Sequence, residues 1–369
     1  MFFRSHNPDL YAWHAIISAH IMHGDDHGAL MLCGWMLDLE IEPDRVMLMT
    51  MMKACGNIGC IDMGRIVHNI IIRREIESKN TIGSCLIDMY GKCGSLAEAQ
   101  RVADMLPIVK NVVIWGSLIA SYVNVGLGKI ALNQFEEMTS VGTCPDKFIL
   151  SSVAKACGIM ESSWKGKMVH FHVIESRLES DVIVGTSLID MYGKCKSMQD
   201  ACYVFNNLLN KNVTSWNALI AGYARQGESE LTFALFERMR KVVKPDEVTF
   251  LTILTLCTHA GLVEKGLEYF KDMIIEHRIS PNTKHRNCIV DLLSRAGQLD
   301  EAVLMMRETP FRSDLAMWSI VLAACKKWGN VELGKYAFEC VMDLDENHAT
   351  AFVMLSNIYA DVEPMEDGK

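Results

Sequence analysis

The composition of this 369-residue chain indicates an ordered protein with much helix and argues against several other classes. Half of the residues are hydrophobic and 22% are charged, which supplies enough apolar surface for a core and argues against intrinsic disorder. Only eight prolines occur, which favours long helical content, and the net charge of −9 argues against binding a polyanion through bulk charge alone.

The cysteines predict neither a disulfide framework nor a zinc site. There are thirteen of them, an odd number, and no two are separated by only two residues. We expect small core residues in a reducing compartment, and no metal or other cofactor. No apolar run reaches the roughly 18 residues that a membrane-spanning helix needs, so we expect no membrane association.

An internal repeat is the main signal in the sequence. The segment 86–93, Leu-Ile-Asp-Met-Tyr-Gly-Lys-Cys, recurs without change as 188–195, and Lys-Ala-Cys-Gly at 53–56 recurs at 155–158. Four tryptophans are spaced by 102, 101 and 102 residues: Trp13, Trp115, Trp216 and Trp318. This spacing defines a superrepeat of three helical hairpins.

The superrepeat divides the chain into ten units, and residue positions are counted below from the first residue of each. In chain order the units are 10–44, 45–79, 80–111, 112–146, 147–181, 182–212, 213–246, 247–282, 283–314 and 315–348. Position fifteen is glycine in eight of them: Gly24, Gly59, Gly94, Gly126, Gly227, Gly261, Gly297 and Gly329. Glu161 and Lys196 are the exceptions. A left-handed residue there would end the first helix of each hairpin.

The second helix of each unit is predicted to carry one apolar stripe. In the unit 112–146 the stripe is Ala131, Phe135 and Met138, at i, i+4 and i+7. One hairpin cannot bury such a stripe alone, whereas stacked hairpins form a continuous core and a concave groove. The predicted fold is therefore all-α, a right-handed superhelical solenoid of stacked helix-turn-helix repeats.

These motifs resemble the alternating ordinary, long and short repeats of plant pentatricopeptide-repeat proteins. The resemblance rests on the order Trp-x-x-Leu-Ile-x-x-Tyr, Gly, Phe-Glu-x-Met and Pro-Asp, and on the two recurring segments above. It covers essentially the whole chain. It implies a remnant of a preceding short repeat at 1–9, nine repeats over 10–314, a first extension motif at 315–348 and a truncated second one at 349–369.

Both ends depart from the family pattern. The segment 1–8 resembles only the tail of a short unit, and the second extension stops after about one helix. We expect an abbreviated product that lacks a targeting segment and the family's usual C-terminus. The resemblance implies a location in an organelle, with the mitochondrion as first choice and the chloroplast as second.

The resemblance also implies that the fifth and the last residue of each ordinary or short unit choose one RNA base. Ser84 with Asn111 and Thr186 with Asn212 match the pair that favours adenine in the family. Asn217 with Asp246 and Asn287 with Asp314 match the pair that favours uracil. His14 with Asp44 and Gly116 with Asp146 depart from the common pairs, so no base is assigned to them.

Two further sets of residues complete the predicted interface. Second-position residues would pack on the base faces: Thr81, Val113, Ile183 and Thr214. Thirteenth-position cations would form a ladder for phosphates: Lys92, Lys194, Arg225 and Arg295. An equally acceptable interpretation of the cations is that lysine and arginine favour helix C-termini.

No intrinsic catalysis is predicted. The deaminase domain that ends some relatives needs His-x-Glu and Cys-x-x-Cys, and this chain has neither. The leading hypothesis is binding of single-stranded organellar RNA for site recognition in cytidine-to-uridine editing, an RNA modification. A deaminase and editing accessory proteins would then act in trans through residues 315–369. The alternatives are RNA stabilisation, splicing or translation, and a protein-binding scaffold; no small-molecule substrate is expected.

Overall fold

The chain is all-α. The computed structural model describes residues 9–74, 80–106, 111–307 and 315–360, and these ranges form 21 helices and no strand. The chain divides into two compact units: unit 1 comprises Met1–Leu209 and unit 2 comprises Asn210–Lys369. In each unit the helices form a row of hairpins, so the prediction of stacked helix-turn-helix repeats is confirmed.

Unit 1 contains the first twelve helices. They are α1 (Leu10–Met22), α2 (Asp26–Asp38), α3 (Arg45–Ile58), α4 (Ile61–Arg73), α5 (Asn80–Lys92), α6 (Leu96–Met105), α7 (Val112–Asn124), α8 (Gly128–Ser140), α9 (Lys147–Ile159), α10 (Ser163–Glu175), α11 (Val182–Lys194) and α12 (Met198–Asn207). The odd-numbered helices pack against one another in sequence, from α1 to α11. Each even-numbered helix packs on its own hairpin partner.

Unit 2 repeats this arrangement. Its helices are α13 (Val213–Arg225), α14 (Ser229–Arg240), α15 (Glu247–Ala260), α16 (Val263–Ile275), α17 (Thr283–Arg295), α18 (Leu299–Arg307), α19 (Leu315–Trp328), α20 (Val331–Leu344) and α21 (Ala349–Ala360). The odd-numbered helices again pack in sequence, from α13 to α21. The odd-numbered helices up to α19 all begin at the first residue of a unit defined by the sequence.

Hydrogen bonds accepted by the residue just before the helix set eight of these starting points. Its side chain accepts a backbone N–H from the first turn of the next odd-numbered helix. The capping residues are Asp9, Asp44, Asn111, Asp146 and Asp181 in unit 1, and Asn212, Asp246 and Asn282 in unit 2. Such a cap stabilises a helix by about 1 kcal/mol. The last residue of a repeat therefore stabilises the following helix whether or not a ligand is bound.

The turn inside each hairpin depends on one left-handed residue. All eight position-fifteen glycines have positive φ, between 65° and 83°. The two exceptions adopt the same conformation, with φ of 50° at Glu161 and 59° at Lys196. The turn therefore requires the left-handed backbone conformation even at residues whose Cβ raises the energy of that conformation.

The predicted apolar stripes lie in the core. Ala131, Phe135 and Met138 of α8 are buried, as is Trp115 of α7, the helix on which α8 packs. The cysteines are more varied than expected. Cys33, Cys55, Cys157, Cys257 and Cys325 are buried, Cys144 is exposed and the other seven are half-buried. Burial raises the pKa of Cys157 to about 12, which keeps that thiol protonated and inert at neutral pH.

Replacing Lys196 by glycine should stabilise the protein. Glycine adopts φ of 59° without the steric cost that a Cβ carries, so we expect K196G to raise the free energy of unfolding by about 0.5–1 kcal/mol. The reciprocal change G94A should lower it by a similar amount, because no atom lies within 4 Å of the added Cβ and only the backbone is affected. Urea unfolding measures both. A K196G protein no more stable than the parent would contradict this account.

Candidate nucleic-acid interface

The odd-numbered helices present the same positions at one face in every hairpin. In unit 1 a groove of about 570 Å³ lies between α3 and α5 and reaches α7. Its walls include the fifth-position residues Met49 and Ser84, the ninth-position residue Lys53 and the thirteenth-position residue Lys92. Unit 2 has a groove of about 510 Å³ between α17 and α19, lined by residues at the same positions. The described part of each unit thus offers a concavity on the face where the base-selecting residues were predicted.

The predicted pair Asn217 and Asp246 is in direct contact. Asn217 Nδ2 donates to Asp246 Oδ1 at 2.9 Å, and its Oδ1 accepts from the Thr249 hydroxyl at 2.6 Å. Asp246 also accepts the Thr249 N–H at 2.9 Å, which caps α15. The fifth residue of one hairpin and the last residue of the same hairpin therefore meet because the cap holds the carboxylate beside α13.

Three other fifth positions hold a buried polar atom without a hydrogen-bond partner. These atoms are Nε2 of His14 and Oγ1 of Thr186 in unit 1, and Oδ1 of Asn287 in unit 2. A buried polar atom without a partner costs about 1–3 kcal/mol, and such atoms are uncommon in stable proteins. Fifth positions thus retain unused hydrogen-bonding capacity.

The remaining fifth positions behave differently. The Ser84 hydroxyl donates to the carbonyl of Thr81 at 3.0 Å and is largely buried. Gly116 has no side chain, and a Cβ there would lie 3.3 Å from Cγ1 of Ile149 in the next hairpin. The side chain of Ile149 therefore fills the space beside position five of the unit 112–146, a position to which the sequence assigned no base.

The last residues of these pairs cap the following helix wherever the structure describes them. Asn111 Oδ1 accepts from Ile114 N at 3.0 Å and Asn212 Oδ1 accepts from Ser215 N at 2.9 Å. Asp44 and Asp146 cap α3 and α9 in the same manner. The predicted pair Thr186 and Asn212 is divided between unit 1 and unit 2. Asp314, the predicted partner of Asn287, lies outside the residues that the structure describes.

The second residues of the repeats form one exposed row on unit 1 and another on unit 2. Val113 is 54% exposed and Ile183 is 45% exposed, and Thr81 and Thr214 are also exposed. Residues at the same position that sequence analysis left out are Tyr11, Val46, Phe148 and Val248, all exposed. Counting from each unit start would have found them. Large apolar side chains facing solvent at a fixed repeat position indicate a contact surface.

The four predicted ladder cations all lie in the last turn of an odd-numbered helix. Three of them pair with an aspartate four residues earlier. Lys92 Nζ lies 2.8 Å from Asp88 Oδ2, Lys194 Nζ 2.7 Å from Asp190 Oδ2, and Arg295 Nε 2.8 Å from Asp291 Oδ1. The ion pair with Asp291 raises the pKa of Arg295. A phosphate would have to compete with these carboxylates.

Other kinds of site are not found in the residues that the structure describes. Within the described ranges, no group of three or more His, Cys, Asp and Glu side chains is placed to hold a metal ion. In the same ranges, no helix combines the length and apolar character needed to cross a bilayer.

Comparison with known proteins identifies the repeat. The PPR repeat matches residues 113–143, 186–213 and 248–276, and the PPR repeat family matches residues 211–259. Pentatricopeptide repeat-containing protein At3g02330, mitochondrial, from Arabidopsis thaliana is 35% identical over 374 residues, which is 96% of this chain and 41% of that protein. This chain is built of pentatricopeptide repeats.

Further pentatricopeptide-repeat relatives match along most of the chain. The Arabidopsis thaliana protein At2g33680 is 35% identical over all of this chain and half of its own length. The Arabidopsis thaliana protein At1g08070, chloroplastic, is 36% identical over 88% of this chain and 44% of its own length. The chain therefore spans about half the length of these relatives or less.

A solved structure has the same fold. The pentatricopeptide repeat protein PPR10, crystallised in complex with an 18-nt psaJ RNA element, superposes with a TM-score of 0.64 at 15% identity. The match covers 97% of this chain and 54% of that chain. At this identity the similarity shows the fold alone, and it agrees with the hairpin rows described above.

Removal of Asp246 should cost more stability than removal of another capping aspartate of this pentatricopeptide-repeat chain. D246A removes a cap and leaves the amide of Asn217 without its partner, so we expect a loss of about 2 kcal/mol in urea unfolding. D44A removes only the cap from Met47 N and should cost about 1 kcal/mol. D246N keeps a capping oxygen and should cost least. Equal losses for D246A and D44A would contradict the pairing.

Proposed function

We propose that this pentatricopeptide-repeat chain binds single-stranded RNA in a sequence-dependent manner, with successive hairpins contacting successive nucleotides. The contact between Asn217 and Asp246, flanked by the exposed second-position residues Thr214 and Val248, carries the proposal. Such an arrangement places a polar pair between two surfaces on which a base can pack. The structural relative PPR10 was crystallised with an RNA element, which supports the same class of ligand.

Helix capping gives a physical reason for base choice. In Asn111 and Asn212 the cap uses the side-chain oxygen, which leaves the amide N–H groups as donors. A donor there suits adenine, whose pairing edge has an acceptor ring nitrogen. A capping aspartate such as Asp246 presents only acceptors, which suits the ring N–H of uracil. This logic agrees with the two kinds of pair that the sequence assigns.

The groove surface accounts for binding by an acidic protein. Apolar second-position residues would contact base faces, a contribution that does not depend on net charge. The thirteenth-position cations lie along the same face, although Asp88, Asp190 and Asp291 offset three of them. We therefore propose that base contacts contribute more to affinity than phosphate contacts, and that the ladder chiefly positions the strand.

A specificity exchange tests the base assignment. The assigned element, from 5′ to 3′, is N-N-A-N-N-A-U-N-U, in which the seventh nucleotide faces the pair Asn217 and Asp246. The parent should prefer uracil over adenine there by about 1–3 kcal/mol, or roughly fivefold to 150-fold in Kd. The double variant N217T/D246N should prefer adenine, because it recreates the pair of Thr186 and Asn212 while an asparagine retains the cap. Gel shifts measure both preferences.

The control for this exchange is the fourth nucleotide, which faces Gly116. Changing that base should affect neither protein. If polypurine competitors bind the parent as tightly as the assigned element, the base assignment is wrong. If the double variant keeps its preference for uracil, the pair does not select the base.

The phosphate ladder is tested through salt dependence. We expect the slope of log K for RNA binding against log salt concentration to fall in magnitude by up to about 3 in a fourfold alanine variant, at about 0.7 for each lost phosphate contact. The four replaced residues are Lys92, Lys194, Arg225 and Arg295. The matched control replaces four exposed cations near or on even-numbered helices: Lys129, Arg238, Lys241 and Lys271. It changes net charge equally and should leave the slope nearly unchanged. Equal slopes for parent and ladder variant would rule out phosphate contacts at position thirteen.

The finer proposal is site recognition for cytidine-to-uridine editing in an organelle, with a deaminase supplied in trans. The sequence resemblance of 315–369 to extension motifs supports it, and relatives whose names include mitochondrial and chloroplastic support an organellar location. The mitochondrion is our first choice. Sequencing of organellar transcripts from a plant that lacks the protein tests this, because editing should be lost at a cytidine a few nucleotides downstream of the assigned element. Unchanged editing with an altered level or splicing of one transcript would support the alternative roles.

A non-catalytic role is part of the same proposal. The matching families are repeat families, and RNA chemistry would be left to a partner. A protein-binding scaffold is the alternative from another class. It does not explain why Asn217 and Asp246 meet on the grooved face, nor why fifth positions keep unused polar atoms.

A further inference from the structure

The hairpin formed by α19 and α20 has the features of a nucleotide-binding repeat. The sequence assigns residues 315–348 to an extension motif, for which the expected role is contact with protein partners. We propose that the groove between α17 and α19 binds one further nucleotide of single-stranded RNA, on the 3′ side of the nine assigned to the repeats. This inference rests on the proposed function and deepens it.

The groove has a suitable size and lining for a nucleotide. Its volume of about 510 Å³ lies within the roughly 300–1,000 Å³ of small-ligand sites. Ser319 occupies position five, Ala323 position nine and Lys327 position thirteen of α19, and Ser294 and Arg295 line the opposite wall. The groove thus combines hydroxyl groups, a short side chain that leaves space, the cation of Lys327, and Arg295 in its ion pair with Asp291, which also lines the groove.

Ser294 supplies a buried hydroxyl that has no protein partner. Its side chain is 1% exposed, it lines the groove, and its Oγ makes no hydrogen bond. Thr258, at the same position of the preceding hairpin, donates to the carbonyls of Leu254 at 2.9 Å and Cys288 at 3.0 Å. The twelfth position of a repeat therefore does not by itself leave a hydroxyl without a hydrogen-bond partner. A ligand in the groove would satisfy the Ser294 hydroxyl.

Lys327 differs in its surroundings from three of the predicted ladder cations. Lys92, Lys194 and Arg295 each pair with an aspartate at position nine, whereas α19 has Ala323 there. Lys327 Nζ instead donates to the carbonyl of Arg295 at 3.1 Å and lies 4.7 Å from the centre of a Trp328 ring. Both contacts are with neutral groups, so the positive charge of Lys327 remains available for an anion.

These features favour an RNA nucleotide over other ligands. A phosphate suits Lys327, and a base or ribose suits the hydroxyl of Ser294 and the oxygen of Ser319, whose own O–H donates to the carbonyl of Leu315 at 2.8 Å. In addition, α17 already carries the fifth-position Asn287 of the preceding hairpin. The groove therefore directly follows a predicted base site within unit 2. A free anion would need only the lysine and would leave the Ser294 hydroxyl unused.

The test compares three RNAs on the full chain. They are the assigned nine-nucleotide element, the same element with one added 3′ nucleotide, and the same element with one added 5′ nucleotide as a control for length and charge. We expect the 3′ addition to lower Kd at least fivefold and the 5′ addition to change it less than twofold. All four bases are used at the added 3′ position.

Variants locate the effect in the groove. K327A should abolish the gain from the 3′ nucleotide without changing Kd for the nine-nucleotide RNA, whereas K326A, an equal charge change on the neighbouring exposed residue, should retain the gain. S294A should reduce the gain at least threefold while the Tm stays the same or rises, because the lost hydroxyl has no partner in the protein. A purely structural serine would not produce this combination.

Two outcomes overturn the inference. If the nine-nucleotide element binds tightly and the 3′ nucleotide adds nothing, or adds as much in K327A, the groove is not a nucleotide site while the proposed function stands. If the nine-nucleotide element itself binds no better than polypurine competitors, the proposed function fails and this inference falls with it.

Discussion

The capping hydrogen bond that precedes eight of the odd-numbered helices is the interaction on which the rest of the described structure depends. It fixes the residue at which the next odd-numbered helix begins, as Asp146 does for α9 and Asp246 does for α15. Once the start is fixed, 3.6 residues per turn place positions two, five, nine and thirteen at defined places along one side of the helix. A cap displaced by one residue would rotate every groove position by about 100° and bury a different set of side chains.

The same residues that stabilise the helices are those proposed to choose bases. This double role is possible because asparagine and aspartate carry two polar atoms, of which capping consumes one oxygen. It also limits variation, since only a few residue types cap well. Replacing Asp246 by asparagine would change the proposed base preference and keep the cap. Replacing it by a larger or apolar residue would remove the cap. Stability and specificity are thus coupled at this position.

Electrostatics along the groove are more balanced than the positions of the cations suggest. The aspartates at position nine hold Lys92, Lys194 and Arg295 in ion pairs, which fits the proposal that contacts with bases contribute more to RNA affinity than contacts with phosphates. Exposed pairs of this kind contribute only about 0.3–0.5 kcal/mol, so a phosphate can displace the carboxylate at small cost. Lys327 has alanine at position nine, and its contacts with the Arg295 carbonyl and the Trp328 ring leave its positive charge at the groove between α17 and α19.

The sequence by itself determined the repeat and the residues at which the odd-numbered helices begin. These follow from periodic patterns and from local capping and turn chemistry, which act within a few residues along the chain. It did not show that Glu161 and Lys196 would adopt the left-handed turn, because their side chains disfavour it and only packing of the hairpin enforces it. Only the tertiary structure decided that Asn217 meets Asp246 and Thr249, that Ile149 fills the space beside Gly116, and that Ser294 keeps an unused hydroxyl in a groove with Lys327. The physical reason is that these contacts join helices some 30 residues apart, and their geometry depends on how closely two helices pack rather than on any local pattern.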